Sequence, residues 1–240
     1  MKIRLFSTAV ILMASTSLFA IERGLGNPNS VYVEKGTFSL GLSGSYHHYN
    51  AAHGAKLLGL VTNLDGQAAF GQAEVEAAWF VKDNTSIGVV LGYENVLADG
   101  NSLSALGILN LSNRHSRNEQ YQASIGMRRY IPLFDSKVFA IFAEPRLSGA
   151  RGYNKNYEET ERGKEGTYTD IWSASFNVIA GVSFFFSNQT ALQVSVPSFS
   201  AGMQWNKQIE GQEVESSITS KGLHASFDLL GINAGVVVFF

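Results

Sequence analysis

The chain has no cysteine in 240 residues, only four prolines, and charged side chains make up just 16% of it. The first absence removes disulfides, thiolate metal sites and a lipidated cysteine anchor together. Charge lies well under the ~25% of soluble domains, and a net charge of −2 gives no basic field for nucleic acid. Past the first twenty residues no run approaches the ~18 apolar residues that a spanning helix needs. Any membrane crossing must therefore be made by strands.

What is present begins with a targeting segment over residues 1–20. Lys2 and Arg4 supply its positive end, Leu5 to Ala14 its apolar stretch, and Ser15 to Ala20 a small-residue exit. This predicts export and cleavage after Ala20. Residues 21–35 then form a short periplasmic leader, and 36–240 a single domain.

Period-two alternation dominates that domain, and no helical stripe of comparable length competes with it. Strands are expected over 37–49, 72–81, 86–94, 120–131, 137–149, 171–185, 191–205 and 222–240. In the third, Ile87, Val89, Leu91 and Tyr93 oppose Ser86, Gly88, Gly92 and Glu94. Pro145 and Pro197 fall inside two strands, and a bulge or local kink is expected at each. Tight connections at 82–85, 132–136 and 187–190 alternate with long ones at 50–71, 95–119, 150–170 and 206–221. The fold class is therefore all-β: an eight-stranded antiparallel up-and-down barrel with tight turns at one end and long loops at the other.

Alternation alone also fits a secreted lipocalin-like carrier, whose apolar face turns inward. Three details favour a transmembrane barrel. The polar parity is rich in Gly and Ser, which suit a crowded interior. Tyr46, Tyr49, Trp79, Tyr93, Tyr121, Trp172 and Trp205 lie near strand ends, where interfacial girdles sit. Ile232, Ala234, Val236, Val238 and Phe240 share one parity and end on an aromatic residue, a pattern resembling the terminal strand signal read by the outer-membrane assembly machinery.

The run Gly126-Met127-Arg128-Arg129-Tyr130-Ile131-Pro132-Leu133, followed by Phe139 to Gly149, resembles the small outer-membrane β-barrel proteins of Bacteroidota, similar in architecture to the OmpA and OmpX barrels. The resemblance covers about residues 36–240. It implies outer-membrane location, with the lipid bilayer, lipopolysaccharide and the barrel assembly machinery as partners. It implies no catalytic signature, no cofactor and no cell-wall tether.

The inward parity offers Glu74, Glu76, Glu94, Arg128, Glu144 and Arg146. Charges removed from water must pair or cost several kcal/mol each, on the order of the buried-ion penalty. They are expected to form a carboxylate–guanidinium network, either as a satisfied polar core or as the gate of a narrow passive channel. Arg129 falls on the lipid parity near a tight turn, where its stem lets it snorkel to headgroups.

His224 and Ser226 share a parity with Asp228 and, without an irregularity, with Phe240. On the outer wall such a pair resembles the layout of lipid A deacylases, in which His activates Ser. A bulge near Leu229 and Leu230 would instead turn them inward. His47, His48 and His53 lie close together, but strand neighbours point to opposite faces and cannot share one metal. The expectation is a non-enzymatic envelope protein whose long loops contact an extracellular ligand of unknown identity.

Overall fold

A strand in which every second side chain is apolar can face two different surroundings at once, provided the sheet closes and leaves no edge. That closure is what the computed structural model contains. It describes residues 33–57, 61–105, 109–133, 136, 138–160, 163–210, 214–226 and 232–240, with the backbone alone for the tips of the hairpins. The expected targeting segment and most of the leader lie outside the described residues.

Among these residues the strands are β1 (Phe38–Leu57), β2 (Val61–Lys82), β3 (Thr85–Ala105), β4 (Leu109–Pro132), β5 (Phe139–Thr160), β6 (Gly163–Phe185), β7 (Thr190–Glu210), β8 (Val214–Ser226) and β9 (Asn233–Phe239). Consecutive strands pair antiparallel from β1 to β7. β8 pairs with the upper half of β7, from Ser200 opposite Ser226, while β9 pairs with its lower half, Thr190 opposite Val238. β9 also pairs with β1, Ser39 opposite Phe239, which closes the ring. β8 and β9 thus share one position, and the molecule is an eight-stranded antiparallel barrel.

The strands are longer than the sequence boundaries suggest. β1 has 20 residues and β4 has 24, whereas about 9–11 residues cross a bilayer. The long connections are built largely of paired strand: Phe139 opposite Phe184 runs in unbroken register to Thr160 opposite Gly163. At the other end the connections are tight. Asn84 takes the turn between β2 and β3 with φ 60°, a conformation that asparagine tolerates better than most side chains.

The two prolines behave differently. An extra residue, Ser198, is accommodated where Val178 faces Phe199 and Ile179 faces Pro197, so the bulge expected at Pro197 is present. At Pro145 there is no bulge, and the register with β6 continues through it. The ladder to β4 instead omits Pro145 and Glu144, resuming in the same register at Ala143 opposite Arg129. A missing N–H donor can be absorbed by leaving that side unpaired, without inserting a residue.

Exposure separates the two faces. Leu91 is 61% and Leu147 62% exposed on the outside, along with Val75, Val89, Ile125, Phe176, Val194 and Met203. A continuous apolar belt of this extent does not face water in a monomeric soluble protein, so the barrel presents it to hydrocarbon. Inside, the tight-turn end is closed by rings. Phe80 stacks on Tyr130 at 6.2 Å, and Phe142, Phe185 and Phe239 complete the cluster.

The leader residues brace this floor from below. Gly36, at φ 92°, turns the chain so that its N–H donates to the Phe80 carbonyl. Val33 is buried in the cluster and exchanges hydrogen bonds with Asn84. At Gly181 a Cβ would lie 2.4 Å from the Phe142 ring, so the absence of a side chain there is what admits the phenylalanine.

Candidate functional site

Directly above the aromatic floor the inward parity becomes ionic. Arg128 on β4 places Nη2 2.6 Å from Glu76 Oε2 and 2.5 Å from Glu144 Oε2, and its Nε donates to Glu144 at 2.7 Å. Its Nη1 donates to Gln193 Oε1 at 3.1 Å, while Gln193 Nε2 donates to the Tyr130 hydroxyl at 2.7 Å. Arg146 on β5 donates to Glu144 Oε1 at 2.6 Å and to Glu74 Oε2 at 3.1 Å. The Arg128 guanidinium also lies 4.8 Å over the Phe142 ring.

The network therefore bridges β2, β4, β5 and β7 across the lumen. Glu144 uses both oxygens to join two guanidiniums, one on each oxygen, through charge-assisted hydrogen bonds. The space left among these groups is about 20 Å³, enough for about one water. A hydroxyl and amide tier follows: Gln122 donates to Ser124, Ser124 to Ser148, Asn177 to Ser148, and Ser200 to Asn177, at 2.7 to 2.9 Å.

Five of the six expected interior charges are thus brought together. Glu94 is not. It lies on the inner parity of β3 opposite Gln72 and Gln120, and among the described residues no cation pairs with it. Tyr130 and Gln193 were missed. Tyr130 shares the parity of Arg128 two residues away, a signal that was available. Gln193 could be found only from the ring's closure.

The remaining candidates separate by face. Phe240 is 70% exposed and Ile232 51%, on the outward parity with Ala234. Arg129 points outward and is exposed. His47 packs toward Phe70 while His48 is exposed on the opposite face. His53, His224, Ser226 and Asp228 lie outside the residues whose side chains are described.

β8 places His224 opposite Gly202 and Ser226 opposite Ser200, the interior parity of β7. On β9 the odd-numbered Asn233, Val237 and Phe239 are buried. The register of β8 and the burial on β9 therefore put opposite parities inside; Leu229 and Leu230, where the bulge was expected, lie outside the described residues. The outer-wall geometry that suggested a lipid deacylase is not the one the register gives.

Above the belt, the outer wall carries polar side chains with aromatic partners. The Tyr153 hydroxyl donates to Glu119, and Arg117 pairs with the same carboxylate. The bond from Tyr153, helped by Arg117, holds the Glu119 carboxyl below its usual value, and the same bond pushes the Tyr153 phenol up to about 12. The proton stays on Tyr153 well past the pH at which a free phenol ionises. A difference titration of tyrosinate absorbance, wild type against Tyr153→Phe, should show one group at about 12. Glu119→Gln should return it toward 10.0, and an unchanged titration would remove the bond from the account.

No protein-family model matches the chain, and no curated protein matches it in sequence. Solved structures do. Neisserial surface protein A (NspA) is similar at 14% identity and TM-score 0.40, over 91% of this chain and 100% of that one. The outer membrane protein OprG from Pseudomonas aeruginosa is similar at 12% identity and TM-score 0.45, over 88% and 99%. The outer membrane protein AlkL, solved in DMPC lipid bilayers, is similar at 12% identity and TM-score 0.36, over 92% and 94%.

Proposed function

We propose that the chain is an integral outer-membrane protein whose barrel is a closed, non-conducting anchor for a rigid surface projection. The observation that carries this reading is the filled cross-section: an aromatic floor, then a charge network with space for about one water. An eight-stranded barrel has little interior beyond its side chains, and here those side chains are mutually bonded. Export by residues 1–20 and insertion guided by the strand ending at Phe240 complete the route to the outer membrane. Lipopolysaccharide surrounds the upper wall, and the hairpins above it meet the extracellular ligand.

The reading is non-enzymatic, since the pair that suggested chemistry takes the interior parity. Kinship with the Bacteroidota-type barrels is part of the proposal and rests on the Gly126 to Leu133 turn pattern.

Planar-bilayer recording of the refolded protein tests it. Electrical silence is the expected result. Steady unitary steps that change size when Arg128 is neutralised would overturn it in favour of a narrow channel gated by the network.

A further inference from the structure

The outer wall of β5, β6 and β7 carries an arrangement that a closed anchor does not need. Gly149, Ala174 and Ala201 stand between the larger Leu147, Phe176 and Met203, leaving an external groove of about 560 Å³ with apolar walls. Small outward residues in adjacent strands create this trough, because neighbouring side chains stand higher than the wall between them.

Cations stand just beyond the groove. Two residues past Gly149, Arg151 pairs with Trp172, which in turn pairs with Trp205. The Arg151 guanidinium lies 4.6 Å over the Trp172 ring, its side chain is 63% exposed, and the facing acid, Asp170, stands at 3.8 Å. Lys155 follows, with Nζ 5.0 Å from the Tyr153 ring and 5.9 Å from that of Tyr168. Arg117 pairs with Lys155 in register, and Lys207 pairs with Asp170. Among the described side chains, four cations here face two acids, Glu119 and Asp170, and Glu119 is already occupied by Arg117 and Tyr153. The patch therefore carries excess positive charge at the top of an apolar trough.

A second external groove has the same volume and no such cap. It lies over Gly44, Gly71, Ala73 and Ala234 between Tyr46 and Tyr93. Beyond it in register come His48, Ala69 and Leu97, and one cation, Arg117, stands opposite Leu97. Among the described side chains the first groove thus has the more cationic cap.

We infer that this face holds a phosphorylated, multi-acyl glycolipid of the outer leaflet, with a phosphate on Arg151 and Lys155 and one acyl chain in the groove over Gly149 and Ala174. Charge complementarity selects the headgroup, and the rings beneath the cations hold them toward it. The inference rests on the outer-membrane placement proposed above.

Native mass spectrometry of the folded protein in detergent tests it, with three lipids added in turn. These are diphosphoryl hexa-acyl lipid A, the same lipid with both phosphates removed, and phosphatidylglycerol. The diphosphoryl form is expected to bind about tenfold more tightly than the dephosphorylated form, the value of one good charge-assisted contact. Arg151→Gln with Lys155→Gln should abolish that preference.

Gly149→Leu should weaken binding by filling the trough. A Cβ at Gly149 meets nothing within 4 Å, so the wall itself should be undisturbed. Equal binding of the two glycolipids, or a preference that survives the double variant, overturns the inference. Equal binding of phosphatidylglycerol overturns the glycolipid as occupant. Failure of the membrane placement is visible separately, as a protein that stays soluble without detergent and migrates identically on a gel before and after boiling.

Discussion

Arg128→Met should destabilise the folded barrel by about 3–5 kcal/mol, the cost of breaking a buried ion pair from one side. The substitution keeps the length of the stem and removes the charge. Glu76 and Glu144 then lose the guanidinium that both accept from, and Glu144 retains only Arg146. Gln193 keeps its bond to Tyr130 but loses the donor to its own oxygen. Urea unfolding in detergent micelles, followed by the heat-modifiable gel shift, measures the change.

Because the groups act as one network, the costs should not add. Arg128→Met combined with Glu76→Gln should cost less than the sum of the two single changes, since the second removes a carboxylate that the first left unpaired. A loss under about 1 kcal/mol for Arg128→Met, the range of exposed ion pairs, would mean that water reaches the network. The closed barrel would go with it.

The charges themselves were legible in the sequence, because parity alone sorts Glu74, Glu76, Arg128, Glu144 and Arg146 onto one face. Their pairing was not. Which carboxylate meets which guanidinium depends on strand stagger around the ring, and alternation is silent on stagger. Glu94 shows the limit: it has the right parity and the right charge, but it stands opposite Gln72 and Gln120 rather than an arginine.

The aromatic floor escaped notice for a related reason. Phe80, Phe142, Phe185 and Phe239 occupy the inward parity at strand ends, where an apolar residue reads as the start of a turn or as a lapse in alternation. They become a unit only when the ring brings β2, β5, β6 and β9 together. Gly181, beside Phe142, belongs to the same fit and looks in sequence like any other strand glycine.

The projecting hairpins were hidden by composition. Asn154 to Lys164 is polar on both parities, so it carries no alternation to count, and a polar run of that kind reads as loop. The ladder nevertheless continues through it to Thr160 opposite Gly163. Outside the bilayer both faces of a strand can meet water, so hydrogen bonding and cross-strand rings such as Tyr153 against Tyr168 at 5.8 Å maintain the sheet without an apolar face. The absence of alternation there marks where the hydrocarbon ends, not where the strand ends.

The same logic makes the facing itself testable. Val89 and Ile125 are directly paired between β3 and β4, are 52% and 55% exposed, and lie within the apolar belt. Arginine at either position should cost about 2–4 kcal/mol when the barrel is folded into a bilayer, the penalty for a cation near the hydrocarbon midplane. The effect should fade toward the ends of the belt, where a long side chain can reach the headgroups. Ile87→Arg and Ile131→Arg, nearer the tight turns, therefore serve as depth controls with smaller losses. The same facing in water would show the opposite pattern, with Val89→Arg exposed to solvent and nearly free of cost, within about 0.5 kcal/mol. Near-neutral values for both Val89→Arg and Ile125→Arg in lipid vesicles would falsify the lipid-facing belt, because hydrocarbon does not tolerate a cation near its midplane.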